Sequence, residues 1–166
     1  MNCYEELLEV ADRNNLDVLE VPFRFVDGMI KLNTIGIRKT IDTVAQKADV
    51  LCEELSHAAL TVGNILDQSV TENRRQEARA RRLAHDIRIG LDGLVDAYRA
   101  HCRSRYEIAD YLGTTEEFLQ EAIDGYRDKY GRYAVCGDCI VIFEPSLAVL
   151  EMTSDIRKEI TNGTTD

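Results

Sequence analysis

One long helical pattern, from about Ile37 to Val62, constrains the fold of this chain more than any other feature of the sequence. Its apolar residues recur at helical spacing and predict a buried stripe, which comprises Ile41, Val44, Ala48, Leu51, Cys52, Leu55, Ala59 and Val62. Glu53 and His57 lie on the opposite side, between further apolar residues. A helix that is apolar on two faces is predicted to lie at the centre of the fold.

The remaining patterns predict an α+β fold that is mainly helical. Predicted helices cover about 3–15, 72–89 and 92–101, with a helix–turn–helix pair over 105–123. Predicted β-hairpins cover 18–34, with its turn at Asp27-Gly28, and 132–144, with its turn at Gly137-Asp138. Polar residues predict a loop over 67–71. We expect a single domain over 1–152 and a polar, frayed tail over 153–166.

Composition excludes several classes of protein. A chain of 166 residues can bury a core without disulfides, and its apolar runs are far shorter than the ~20 residues that cross a bilayer. Thirty acidic and twenty basic residues give a net charge of -10, which makes nucleic acid an unfavoured partner. Five scattered cysteines and the absence of an export signal predict reduced thiols and a cytoplasmic location.

The pair Glu53 and His57 is the first candidate for chemistry, because side chains four residues apart on a helix can contact one ion. An ionised carboxylate on an apolar face needs an ion, a hydrogen-bonded network or a shifted pKa to compensate its burial. Residues 53–57 have the spacing of the zinc-peptidase motif H-E-x-x-H, with glutamate in the first position. Glu54 then stands at the position of the general base. The alternative is an ordinary Glu–His pair on a surface helix.

The following helix offers a third ligand. Glu77 lies on the shoulder of the apolar face that Ala80, Leu83, Ala84 and Ile87 are predicted to form, and His85 is the competing candidate. Five arginines on this helix predict either a solvated face or a surface that holds an acidic substrate; they are Arg74, Arg75, Arg79, Arg81 and Arg82.

The order of these elements resembles that of the ImmA/IrrE metallopeptidase family. The resemblance is carried by the helix with E-E-L-S-H, the loop T-V-G-N-I-L-D-Q-S, the Q-E-A-x-A helix and the pair Y-E-I-A-D-Y-L-G-T-T-E-E-F-L. It covers roughly residues 3–150 and is nearest to the small members encoded by phages and prophages of Gram-positive bacteria. Many of those phage members have a second histidine where this chain has Ala58.

The resemblance implies a zincin-like fold and the activity of a zinc-dependent endopeptidase. It implies that Glu53, His57 and Glu77 bind Zn²⁺, with Glu54 as general base. It further implies that the protein substrate is a helix-turn-helix repressor of phage type, inactivated or cleaved in the bacterial cytoplasm. No membrane partner is expected.

Two other functions remain open at this stage. The first is a catalytically degenerate interaction module of the same fold that binds a phage repressor or a host protein. The second is a DNA-binding regulator that uses the 105–123 pair. The acidic surface of that pair makes DNA binding less favourable than a structural role in which the pair packs on the central helix. Cys136 and Cys139 form a single C-x-x-C, which favours incidental thiols over a structural zinc site.

Overall fold

The computed structural model describes residues 2–61 and 70–153, with side chains for 2–60 and 73–153. Its helices are α1 (Cys3–Arg13), α2 (Val44–Thr61), α3 (Val70–Arg88), α4 (Gly90–Arg99), α5 (Arg105–Leu112) and α6 (Glu116–Tyr130). Its strands are β1 (Asp17–Val21), β2 (Gly28–Lys31), β3 (Thr34–Arg38), β4 (Tyr133–Cys136), β5 (Cys139–Ile142) and β6 (Ala148–Glu151). The predicted α+β, mainly helical class is confirmed. Residues 62–69, which include 67–69 of the predicted loop, and 154–166 of the predicted tail lie outside the described residues. The last two residues of the predicted loop, 70–71, belong to α3, which begins at Val70.

The first sheet differs from the predicted hairpin. β3 is its central strand, with β1 parallel on one side and β2 antiparallel on the other. The predicted hairpin turn at Asp27-Gly28 is therefore wrong. The turn that joins the antiparallel strands β2 and β3 consists of Leu32 and Asn33. Leu32 has a φ of 56°, a left-handed conformation that leucine rarely adopts, so Asn33 is the turn's one sequence signal and the Asp27-Gly28 pair is the stronger one.

Helix α2 begins at Val44, later than the predicted start at about Ile37. Ile35 and Ile37 are instead fully buried in β3, the central strand of the first sheet, which packs against α2. The helix begins after Thr43, whose Oγ1 accepts a hydrogen bond from the Gln46 backbone N–H at 3.2 Å. The predicted helix is too long at its start. Ile37 and Ile41 have helical spacing, but the same spacing occurs when a strand is followed by a turn.

The central position of α2 is confirmed. It packs against α1, α3, β2 and β3. Its predicted stripe is buried along the middle of the helix, at Ala48, Leu51, Cys52 and Leu55, and Val50 on the other side is also buried. Both faces of α2 are thus covered, and β2 lies over the second one.

The inward face of α3 is rotated from the predicted one. Ala80 and Ala84 are buried as expected, whereas Ile87 is 56% exposed. His85 is buried in its place, and only 7% of the Arg88 side chain is accessible. Arg88 is drawn inward because it pairs with a buried carboxylate of α2, which no apolar pattern on α3 could indicate.

The α5–α6 pair packs on α4 and α3, and the predicted packing over the central helix is limited to its turn. Its turn contacts α2, because Asp49 accepts hydrogen bonds from Thr114 Oγ1 at 2.8 Å and from the Thr115 backbone N–H at 2.9 Å. Gly113 ends α5 with a φ of 64°, and α6 packs on α3. The predicted second hairpin is confirmed as β4–β5, and β6 extends it to a three-stranded sheet that packs on α4. None of the described helices is both long enough and apolar enough to cross a bilayer.

Candidate metal centre

Two of the predicted ligands meet where α2 faces α3. His57 Nε2 lies 3.4 Å from Glu77 Oε2. Two donors that bind one tetrahedral zinc ion at 2.0–2.2 Å are separated from each other by about 3.3–3.5 Å. The observed separation therefore suits two ligands of one ion, and it arises between residues twenty positions apart on different helices.

The third predicted ligand, Glu53, lies one helical turn before His57 but is directed to a guanidinium group. Its Oε1 lies 3.8 Å from Arg81 Nε. Within residues 2–60 and 73–153, no three His, Cys, Asp or Glu side chains form a group already closed around one point. The donors fit zinc in their chemistry and in the spacing of His57 and Glu77. Completing the set requires the Glu53 carboxylate to leave Arg81.

Glu54 points to the first sheet. The backbone N–H of Ile30 in β2 donates a hydrogen bond to its carboxylate. A Cβ atom at position 28 would lie only 2.7 Å from Glu54 Oε1 and 2.7 Å from Val50 Cγ1. Gly28 therefore makes room for the Glu54 carboxylate between α2 and β2.

The surroundings of Glu54 oppose its ionisation. Burial, followed by the nearby Glu53 and Glu77 carboxylates, raises the pKa of Glu54 to about 7, and the Ile30 hydrogen bond opposes this shift. Burial also raises the pKa of Glu53; Arg81 opposes that change, while Glu121 and Glu77 add to it. A raised carboxylate pKa reports an excess of negative charge in a poorly solvated place.

Three carboxylates thus surround the Arg81 guanidinium, and the Glu54 carboxylate lies near two of them. We refer to Glu53, Glu54, Glu77, Glu121 and Arg81 as the acidic cluster. Glu77 Oε1 lies 3.6 Å from Arg81 Nη2, and Glu121 Oε2 lies 3.9 Å from Arg81 Nη1. One positive charge leaves most of this negative charge uncompensated. A divalent cation would compensate the remaining negative charge, and α2 and α3 provide imidazole and carboxylate groups that can bind it.

The competing ligand His85 lies on the α6 side of the acidic cluster, beside Glu121. It is 4% exposed, and its ring packs edge-on against Phe118 of α6 at 4.8 Å between centroids. Its Nε2 is 4.0 Å from Glu121 Oε2 and makes no hydrogen bond within the described residues. Burial, with Arg81 second, lowers the pKa of His85 to about 4. His85 faces α6, whereas Glu77 is the α3 side chain that reaches His57.

Sequence reasoning missed the cation at the centre of the acidic cluster. Arg81 was grouped with the exposed arginines of α3, although a Glu–Arg pair four residues apart, Glu77 and Arg81, is a recognisable helical signal. Glu121 comes from α6 and carries no local signal at all. Gly28 was interpreted only as part of a turn, and its contact with α2 depends on how the sheet packs.

The cysteine pair at the second sheet is a separate feature. Cys136 and Cys139 are cross-strand partners at the β4–β5 turn. The Cys136 thiol donates a hydrogen bond to Asp92 Oδ1 at 3.0 Å. Burial and this carboxylate raise the pKa of Cys136 to about 11, which keeps the thiol protonated.

A comparison of the chain with models of known protein families, with curated proteins and with solved structures found no match in any of the three. Structural support for a function comes from the geometry and charge of the α2–α3 site.

Proposed function

We propose that this protein is a zinc-dependent endopeptidase of the ImmA/IrrE type with a zincin-like arrangement around α2. The contact between His57 Nε2 and Glu77 Oε2, at 3.4 Å, carries the proposal, because it joins two zinc-binding donors beside a candidate general base. His57, Glu77 and Glu53 would hold the metal. When bound, zinc would polarise a peptide carbonyl and make a water molecule more acidic.

Glu54 supplies the acid–base chemistry in this proposal. Its carboxylate would accept a proton from the attacking water as the C–O bond forms, and would then deliver that proton to the amide nitrogen as the C–N bond breaks. A general base works best when its pKa lies near the working pH. Burial raises the pKa of Glu54 towards that range in the metal-free chain, and a bound cation would lower it again. The Ile30 hydrogen bond and the space above Gly28 fix where the carboxylate lies.

The proposed substrate is a helix-turn-helix repressor of phage type in the cytoplasm of a bacterial host. This choice follows from the family resemblance of the sequence. The exposed acidic residues of α5 and α6 also favour a protein partner over DNA, since a phosphate backbone would be repelled.

The experiment that tests the proposal compares wild-type protein with Glu54→Gln during co-expression with such a repressor. General base catalysis is worth about 100- to 10,000-fold, so the variant should lose at least about 100-fold in cleavage while keeping its zinc. Glu117→Gln, at an exposed position of α6, removes the same charge away from the cluster and should cleave normally. Full cleavage by Glu54→Gln would refute the proposed role.

A second candidate is favoured by one observation. Because Glu53 lies against Arg81, the same fold could bind a repressor or host protein without turnover. Binding of the repressor by wild-type protein with no cleavage in the presence of zinc would support this interaction module over the enzyme.

A further inference from the structure

Arg81 lies among the carboxylates that the proposed zinc site needs. It stands one turn after Glu77 on α3 and lies within 4 Å of three carboxylates from three helices. These are Glu53 of α2, Glu77 of α3 and Glu121 of α6. Two of the three are proposed metal ligands, so the guanidinium and the metal ion share the same partners.

None of the three contacts is a close hydrogen bond. The separations are 3.8 Å to Glu53, 3.6 Å to Glu77 and 3.9 Å to Glu121, all longer than the 2.7–3.2 Å of an N–H···O bond. A guanidinium that orients a carboxylate usually does so through a short, bidentate pair. Arg81 instead acts as a shared positive charge, with nearly half of its side chain accessible to solvent.

Building on the proposed function, we propose that Arg81 is an internal counter-ion that competes with divalent metal for Glu53 and Glu77, and that Glu121 is the partner to which it moves when metal binds. In the metal-free protein Arg81 offsets part of the repulsion within the acidic cluster. When the metal takes Glu53 and Glu77, Arg81 keeps one carboxylate, because Glu121 is not a ligand.

The direction of the effect follows from Coulomb's law. A guanidinium within 4 Å of the ligand carboxylates lies several ångströms from the ion that they bind, and like charges at this range repel. Removal of Arg81 should therefore tighten zinc binding by at least about tenfold. Removal of the Glu121 charge should weaken it about three- to tenfold, because Arg81 then keeps only the two ligand carboxylates as partners.

The test is a titration of the full-length, metal-free chain with Zn²⁺ in competition with a chromophoric chelator. It compares wild type with Arg81→Gln and Glu121→Gln. The matched control is Arg79→Gln, an exposed arginine of α3 outside the ion pairs of the acidic cluster. We expect Kd to fall for Arg81→Gln, to rise for Glu121→Gln and to change less than about twofold for the control.

Melting temperature gives an independent measurement. In EDTA, Arg81→Gln should melt below wild type because its carboxylates lose their counter-ion, and in excess Zn²⁺ it should gain more stability than wild type does. If Arg81 only orients the ligands, Arg81→Gln binds zinc more weakly, and the proposal is wrong.

The outcomes separate this proposal from the proposed function. If wild type binds no zinc but Arg81→Gln does, Arg81 is the competitor and the wild-type chain is not a zinc enzyme. If wild type binds zinc and Arg81→Gln binds it equally, the zinc site stands and the counter-ion proposal fails. If neither binds zinc, both fail.

Discussion

Asp49 and Arg88 form a buried ion pair, with Arg88 Nη2 3.1 Å from Asp49 Oδ1, that joins α2 to the end of α3. Both side chains are less than a tenth exposed. Asp49 also accepts hydrogen bonds from Thr114 and Thr115, and Arg88 donates a short one to the Gly113 carbonyl. The pair therefore attaches the α5–α6 turn to α2, the helix that carries Glu53, Glu54 and His57. The attachment point, Asp49, lies one helical turn before Glu53.

Replacement of Asp49 by asparagine should destabilise the fold severely, because it leaves the Arg88 charge buried without its counter-ion. The expected loss is about 3–5 kcal/mol in the free energy of unfolding, measured by urea denaturation. The double variant Asp49→Asn/Arg88→Gln should recover part of that loss. A loss below about 1 kcal/mol would show that the pair is solvated.

Protonation of His85 should make the fold acid-sensitive. The folded pKa is about 4 and the unfolded value 6.5, so the unfolded chain binds the extra proton between these two values. The contribution of His85 to the free energy of unfolding is therefore fully present above pH 6.5. It decreases by roughly 2–4 kcal/mol as the pH falls towards 4. His85→Gln cannot titrate and should lose that much less stability over the same range. Parallel stability profiles for the two proteins would contradict the account.

Gly28→Ala should displace Glu54 and destabilise the fold. The new methyl group would lie 2.7 Å from Val50 Cγ1, a short buried side chain that cannot move aside, and 2.7 Å from Glu54 Oε1. We expect about 1–3 kcal/mol of destabilisation and a loss of repressor cleavage. Gly125→Ala in α6 is the control. Its new Cβ would lie 3.8 Å from His85 Nδ1, which is an ordinary van der Waals contact. An unaffected Gly28→Ala would show that β2 does not constrain Glu54.

The Cys136 thiol should react slowly, because its pKa is raised to about 11 by burial and by Asp92. Asp92→Asn removes the anionic partner while burial remains, so alkylation by iodoacetamide at pH 8 should accelerate about tenfold at this residue. Peptide mass spectrometry measures the rate. Asp96→Asn, one turn along α4, should leave the rate unchanged; equal rates in both variants would exclude Asp92 as the cause.

Local patterns predicted most helices and the β4–β5 turn, since helical periodicity and capping residues are read within one segment. The parallel pairing of β1 with β3 has no local signal because it joins separate segments of the chain. The β2–β3 turn places Leu32 in a left-handed conformation that its sequence does not favour. The start of α2 was misplaced for the same reason. The backbone of Ile37 pairs with β1 and β2 and the strand packs against α2, so tertiary structure outweighs its helical spacing.

In the candidate site too, features within one helix could be predicted from the sequence, whereas contacts between helices could not. The spacing of Glu53, Glu54 and His57 is local to one helix and was visible in the sequence. The sequence places Glu77 on the shoulder of the apolar face of the next helix, and the structure brings it to His57 although its side chain remains 55% exposed. The contacts of Arg81 and Glu121 require the packing of α6 on α3, which no segment encodes alone.

Zinc content tests the central claim most directly. The full chain, purified without a histidine tag and without chelator, should contain about one zinc ion per chain by elemental analysis. His57→Ala and Glu77→Ala should contain almost none and yet fold, as judged by circular dichroism. His101→Asn, which removes a histidine outside the acidic cluster, should retain zinc. Zinc-free wild-type protein that also fails to bind added Zn²⁺, or full zinc content in His57→Ala, would contradict the account.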